Sequence, residues 1–268
     1  MCHQEHQPRN VAWKDLLPVN PAMTLTELAI PLPWLIVSFA FYASPWPVFG
    51  VVASFMFFLC ALRLNHEAIH NNLGLPRWAD HWVMHVLSAL MLGANHAQAY
   101  AHMMHHRHSG GPKDCEGKCS HMRWYQVLVY GPKFPIDINI AAWRDGGPKW
   151  RRRMLIDWVC IAVVIAGAAL HNQPWIWMHV GAMIVAQCLA AFFAVWITHQ
   201  GTGENLAARS QRGIAAKAAY LMLYHREHHL FPKVPVSRLP ELARRLDRDV
   251  PGYAESRISV APWLEKLG

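Results

Sequence analysis

The chain has 268 residues, 53% of them hydrophobic and only 16% charged, with a formal net charge of +8. An average soluble domain carries about 25% charged residues, so the composition excludes an ordinary soluble domain, a disordered chain and a disulfide scaffold. The six cysteines (Cys2, Cys60, Cys115, Cys119, Cys160 and Cys188) are scattered, two of them where lipid is expected, and are read as reduced thiols.

In chain order, a polar arm (1–27) comes first. Its proline-containing start is no basic tip followed by an apolar run, so no secretory signal is expected and the N-terminus is placed in the cytoplasm. Residues 28–62 and 158–203 contain no Asp, Glu, Lys or Arg. At about 1.5 Å per residue, each stretch exceeds one crossing of a ~30 Å hydrocarbon core, and each predicts a helical hairpin. The first hairpin (28–64) runs from Leu28 to Ala43, turns at Ser44-Pro45-Trp46-Pro47 and returns from Val48 to Leu64. The return helix runs on into His66-Glu67-Ala68-Ile69-His70.

Asp80 is expected to N-cap another helix, whose apolar part from Trp82 to Ala94 is too short to cross and which continues unbroken through His102 to His106. Ser109-Gly110-Gly111-Pro112 should end it, and a Gly, Pro and Lys/Arg-rich loop is expected over about 113–150. The second hairpin (154–198) comprises Met154 to Leu170 and Pro174 to Thr198. The tail (199–268) should carry a soluble helix from Ala207 to His229 and a short charged helix from Pro240 to Asp247. The expectation is one all-α integral membrane domain. Four transmembrane helices form two hairpins, and segments 65–153 and 199–268 form a cytosolic helical cap.

The basic residues follow this plan. Two precede residue 27, twelve lie in 63–153, eleven lie in 199–268, and the connections near 44–47 and 171–174 have none. Lys and Arg concentrate on the cytoplasmic side of membrane proteins, so both termini and the middle segment are placed there. The positive charge then reports topology, and no nucleic acid is expected as a partner.

Eighteen histidines are concentrated at one predicted membrane face. His66 and His70, four apart on a helix, are about 40° apart on one face. His102, His105 and His106 repeat the spacing i, i+3, i+4, as do His225, His228 and His229. Adjacent helical histidines diverge by about 100°, so each His-His pair can serve two different metal ions. His199 lies about one crossing beyond Pro174 and arrives on the same side. The triplets predict a dinuclear centre of nine imidazoles: His66, His70, His102, His105, His106, His199, His225, His228 and His229. His81, His85, His96, His108, His121, His171 and His179 are read as ordinary polar residues. Glu67, Asp114, Glu116, Glu204 and Glu227 stand near enough to orient imidazoles.

Taken as a set, His66-Glu-Ala-Ile-His70, His102-Met-Met-His105-His106 and His225-Arg-Glu-His228-His229 resemble the three histidine boxes of the membrane-bound fatty acid desaturase and hydroxylase superfamily, over roughly residues 30–245. The resemblance implies two iron ions and O2 as co-substrate, with hydrogen abstraction from an unactivated C–H bond of a lipid or acyl chain. His199 resembles the extra ligand of acyl-CoA desaturases. Val195 stands where those enzymes carry an Asn, so no Asn ligand is implied. Nothing in the chain resembles a fused haem or ferredoxin module, which implies an external electron donor of ferredoxin, rubredoxin or cytochrome b5 type.

Desaturation of an acyl chain is the first expectation. Hydroxylation or ketolation of a carotenoid or other lipid is the alternative. His66-Glu67-Ala68-Ile69-His70 also fits the zinc-protease pattern H-E-x-x-H, but that reading leaves two boxes without a task. A histidine-rich metal transporter would need ionisable groups at mid-membrane, where both hairpins are bare.

Overall fold

Proline marks where the long helices begin. Pro21, Pro47 and Pro174 each take the first helical position, where a missing N–H costs nothing. The computed structural model describes residues 5–203 and 206–265, and these are helical or irregular, with no strand among them. The helices are α1 (Pro21–Ala29), α2 (Leu32–Tyr42), α3 (Pro47–His70), α4 (Arg77–Met91), α5 (Asn95–His108), α6 (Trp124–Tyr130), α7 (Phe134–Asp145), α8 (Gly147–His171) and α9 (Pro174–Ala190). After a π-helical stretch over Ala191–Trp196 come α10 (Ile197–His199), α11 (Gly213–Ala218), α12 (His225–Leu230) and α13 (Leu239–Asp249).

Four stretches are long and apolar enough to cross a membrane: Pro21–Tyr42, Pro47–His70, Gly147–His171 and Pro174–His199. Their outer faces carry exposed aliphatic residues such as Ile36, Val52, Val163 and Val185, as helices in hydrocarbon require. Inside, Phe57, Phe58, Met84, Met91, Met154 and Met183 are fully buried in one core. A second core, built on Phe231, Leu239, Leu242 and Leu246, fixes the C-terminal segment against the N-terminal arm through Val11 and Leu16.

α2 and α3 pack along each other. α8 and α9 are consecutive but make few mutual contacts. α8 lies against α4, α5 and α7, whereas α9 lies against α2 and α3.

Several expected boundaries move. The first span begins at Pro21 and is interrupted near Ile30 and Pro31. Asp80 does not cap α4. The helix starts at Arg77, the N-cap residue is Pro76, and Asp80 is buried in its first turn. The helix expected to run from residue 82 through the second box breaks at 92–94, where Leu92 adopts φ 53°. Two tertiary contacts hold that break: Ser88 Oγ accepts the backbone N–H of Asn95 at 3.1 Å, and the Gln187 side chain packs onto Gly93, where a Cβ would collide with it. The segment expected as a loop over 113–150 contains α6 and α7, because Val127, Phe134, Ile138 and Ala142 bury against the core. The helix expected over 207–229 is split into α11 and α12 by a turn with Tyr220 and Leu221 at positive φ, secured by Trp34 Nε1 donating to Tyr220 Oη at 2.6 Å and by Arg63 donating to the Tyr220 carbonyl.

Candidate metal centre

The C-terminal ends of α3 and α10, the C-terminal half of α5 and the whole of α12 meet at one point, and the eight boxed histidines and His199 lie there. Asn71 at φ 60° ends α3 directly after His70, so the first box occupies the final turns. The wider π-helical turns before α10 rotate its residues relative to an unbroken α-helix, and His199 comes to face His105.

The imidazoles divide into two groups. In the first, Nε2 atoms are separated by 2.9 Å between His66 and His228, 3.0 Å between His70 and His102, 3.1 Å between His102 and His106, and 2.9 Å between His106 and His228. In the second, they are separated by 3.1 Å between His105 and His199, 3.0 Å between His199 and His225, and 3.2 Å between His225 and His229. The adjacent pairs His105-His106 and His228-His229 each split between the groups, as their ~100° divergence requires.

The far side of several rings decides what the near side can do. His199 Nδ1 donates to the Ala207 carbonyl at 3.1 Å, and a carbonyl can only accept. His105 Nδ1 lies 2.8 Å from Asp114 Oδ2, and His102 Nδ1 lies 3.2 Å from both Glu116 oxygens. With the proton on Nδ1, each neutral ring presents a lone pair at Nε2. Lone pairs of His105 and His199 therefore face each other at 3.1 Å. A positive charge between them, a metal ion or a second proton on His105, resolves that repulsion.

Electrostatics agree. Burial first, then the neighbouring imidazoles, push His106, His225, His228 and His229 well below their ordinary value, which keeps them neutral. Burial also acts to lower His105, but its hydrogen bond to Asp114 and the charges of Glu116 and Asp114 outweigh it and raise it. That same negative field favours a metal cation. Asp114 is pushed up by burial yet held below the usual carboxylate range by His105 and by the N–H groups of Gly117 and Gly110. Glu116 is likewise held low, mainly by His102. An all-imidazole donor set with carboxylates behind it fits iron or another borderline divalent ion, and differs from the carboxylate-bridged sites of soluble bundles.

The other sequence candidates sort differently. Glu67 Oε2 accepts the Val236 N–H at 3.0 Å, and its Oε1 stands 3.6 Å from His66 Nδ1. Glu227 is buried on Ser210, Tyr253 and Arg212, holding α12 to the C-terminal segment rather than orienting an imidazole. Glu204 lies outside the described residues. His179 Nε2 donates to the Leu90 carbonyl at 3.0 Å, and His121 and His171 are exposed.

His81, His85 and His96 are not isolated polar residues. His85 Nδ1 lies 2.6 Å and His96 Nδ1 3.0 Å from Asp157 Oδ1, the His96 backbone N–H donates to Asp157 Oδ2 at 2.8 Å, and His81 Nδ1 lies 3.1 Å from His96 Nε2. The sequence reading missed Asp157. The available signal was a carboxylate inside an otherwise apolar span, which is costly unless paired.

Two cavities touch different histidines of the centre. A polar cavity of about 720 Å³ touches His105, His106, His199 and His229 and is bordered by Glu5, Ser109 and Arg123. An apolar cavity of about 280 Å³ touches His66, His102 and His225 and is walled by Leu59, Leu62, Phe193, Val195 and Met222. Asn65 and Gln98 also line it, with Asn65 Nδ2 donating to Gln98 Oε1 at 3.3 Å.

Comparison with known proteins gives a concordant result. The family described as fatty acid desaturase matches residues 43–261. A beta-carotene ketolase of Paracoccus sp. (strain PC1) is 28% identical over 193 residues, covering 66% of this chain and 71% of the relative. A second beta-carotene ketolase, from Paracoccus sp. (strain N81106 / MBIC 01143), is 28% identical over 201 residues, covering 69% and 74%.

Proposed function

This chain belongs to the fatty acid desaturase family, and from that premise we propose that it is a membrane-bound di-iron oxygenase that ketolates a carotenoid. The observation that carries this reading is the apolar cavity ending on His66, His102 and His225, considered with the two ketolases that the chain resembles. His66, His70, His102, His106 and His228 would hold one iron ion, and His105, His199, His225 and His229 the other. When bound, the pair supplies O2 activation for attack on an unactivated C–H bond, driven by electrons from an external donor.

The chain's own residues do the rest. Asp114, Glu116 and the Ala207 carbonyl each hold a proton at Nδ1 of His105, His102 and His199, so that Nε2 stays a ligand. Leu59, Leu62, Phe193 and Met222 exclude water around the lipid, while the polar cavity leaves an aqueous path to His105, His106, His199 and His229. In balance, each hydroxylation of a ring methylene consumes one O2, two electrons and two protons and releases water. A second hydroxylation at the same carbon gives a gem-diol that loses water to the ketone. Acyl-chain desaturation begins with the same hydrogen abstraction and remains the second reading, carried by the family description.

The four candidate spans and the Lys/Arg distribution support a multi-pass protein with both termini and the centre on the cytoplasmic side. A variant with Cys at Ser109 should resist an impermeant maleimide applied from the outer side; rapid labelling there would refute this orientation. For function, the chain is expressed with an electron donor and supplied with β-carotene or an octadecanoyl lipid, and products are identified by mass spectrometry. Ketone on the carotenoid is expected; an unsaturated acyl product with untouched carotenoid overturns the ketolase reading. Glu67→Gln tests the protease reading, since Glu67 bonds to the Val236 N–H and should not be the general base of a zinc site.

A further inference from the structure

The separation of α8 from α9 leaves a third cavity between them. It measures about 540 Å³ and is lined by Trp158 and Ile161 of α8, by Ile184, Gln187 and Cys188 of α9, and by Ile136 and Ile140 of α7. Trp158 and Ile161 lie about 6 to 10 Å along α8 from Met154, where its apolar stretch begins, inside a candidate span. Its rim is apolar and open: Ile136, Ile140 and Ile184 are each more than half exposed. The gap therefore faces the depth at which a bilayer presents hydrocarbon.

This cavity and the apolar cavity at the histidines share three wall residues, Gln98, Phe134 and Ile138. Gln98 at the divide is held by an amide relay. Met91 O accepts from Gln187 Nε2 at 3.0 Å, Gln187 Oε1 accepts from Gln98 Nε2 at 3.3 Å, and Gln98 Oε1 accepts from Asn65 Nδ2 at 3.3 Å. A backbone carbonyl can only accept, so the relay has one direction and each amide one orientation. The waist between the cavities is thus a built element, braced at Gly93, where the absence of a side chain makes room for Gln187.

Resting on the ketolase reading, we propose that the gap between α8 and α9 is a lateral portal for the hydrocarbon of the lipid substrate. One end of the substrate occupies the cavity at the histidines, and the remainder passes Gln98, Phe134 and Ile138 to the bilayer. Size argues the same way. A cavity of about 280 Å³ falls just below the range of sites that enclose a drug-sized ligand, about 300 to 1,000 Å³. It cannot enclose a long rigid polyene, so most of such a molecule must lie elsewhere, and the neighbouring apolar volume that shares its wall is this gap.

The test uses the full chain in detergent or bilayer. Native Cys188 lines the gap, and Cys160 on α8 does not. Labelling by N-ethylmaleimide, read peptide by peptide, should be slowed several-fold at Cys188 and unchanged at Cys160 when β-carotene is bound, with or without iron. Ile184→Trp should lower kcat/KM for β-carotene by about tenfold through KM, and lower it much less for the one-ring fragment β-ionone; Val163→Trp, on the outer face of α8, serves as the control. β-Carotene oxidised with Cys188 unprotected and Ile184→Trp equal to Val163→Trp overturns the portal. If the wild-type chain oxidises the octadecanoyl lipid and not β-carotene, the ketolase reading falls, and the portal stands or falls on whether that lipid protects Cys188. Protection by neither lipid overturns it.

Discussion

α5 carries histidines of two kinds at its two ends. At its start, His96 joins His85 and His81 around Asp157. Toward its end, His102, His105 and His106 join six further imidazoles. Both sets are largely buried and both have nitrogen contacts near 3 Å, so neither burial nor distance tells them apart. What faces what does. Around Asp157 each short contact pairs an N–H with an acceptor, and these hydrogen bonds tie α4 and α5 to α8, with His81 Nε2 at the edge of the set left without a partner among the described residues. At the other end Nε2 faces Nε2, and protons on several rings are already committed to Asp114, Glu116 and Ala207 O. Convergent lone pairs without convergent donors call for a cation; complementary pairs do not.

Substitutions at the two ends of α5 should therefore part company. The largest effect is expected from His228→Ala, which should reduce lipid oxidation to background and lower iron content, whereas His96→Gln should keep both metal ions. Iron analysis beside product yield decides this, and an iron-free His96→Gln protein would erase the distinction. Next comes Asp114→Asn, which removes the charge behind His105 while preserving its shape. A loss of about 10- to 100-fold in metal affinity or activity is expected, measured by metal titration of the apo-protein.

Acid provides a third test. His106, His225, His228 and His229 are held well below the ordinary 6.5 in the folded chain by burial and by one another. Below pH 6.5 the unfolded chain binds protons that the folded chain refuses, so apo-protein stability is full above that pH and falls as the pH drops. Each such histidine contributes at most about 1.4 kcal/mol per pH unit. Thermal melts from pH 7.5 to 5.5 should show a steadily falling midpoint; a rising one would contradict neutral rings. The smallest effect is expected from Asp157→Ala. It strips the acceptor from three buried donors, each worth about 1 kcal/mol, for a loss of about 3 kcal/mol with iron content unchanged.

The boxes were legible because a metal site built on helices writes its geometry into spacing. The i, i+3, i+4 pattern and the adjacent pairs place ligands on computable faces, and the structure brings all nine positions together. The Asp157 cluster was not legible, because His81, His85, His96 and Asp157 come from three helices with no shared period. The same holds for α6 and α7, where the Gly, Pro and Lys/Arg residues scattered over 113–150 mask two short apolar runs and their four buried positions, Val127, Phe134, Ile138 and Ala142. It holds again for the break at 92–94, which depends on Ser88 and on Gln187 from a distant helix.

The sequence by itself determined the membrane character, the four apolar stretches and the candidate ligand residues. Those properties follow from hydrocarbon thickness and helical rise, which act along one segment at a time. Only the tertiary structure decided which carboxylate stands behind which imidazole, how the nine rings divide five and four, and where α8 parts from α9. Those depend on contacts between residues far apart in the chain, such as the 94 positions separating His105 from His199, and local propensity carries no record of them.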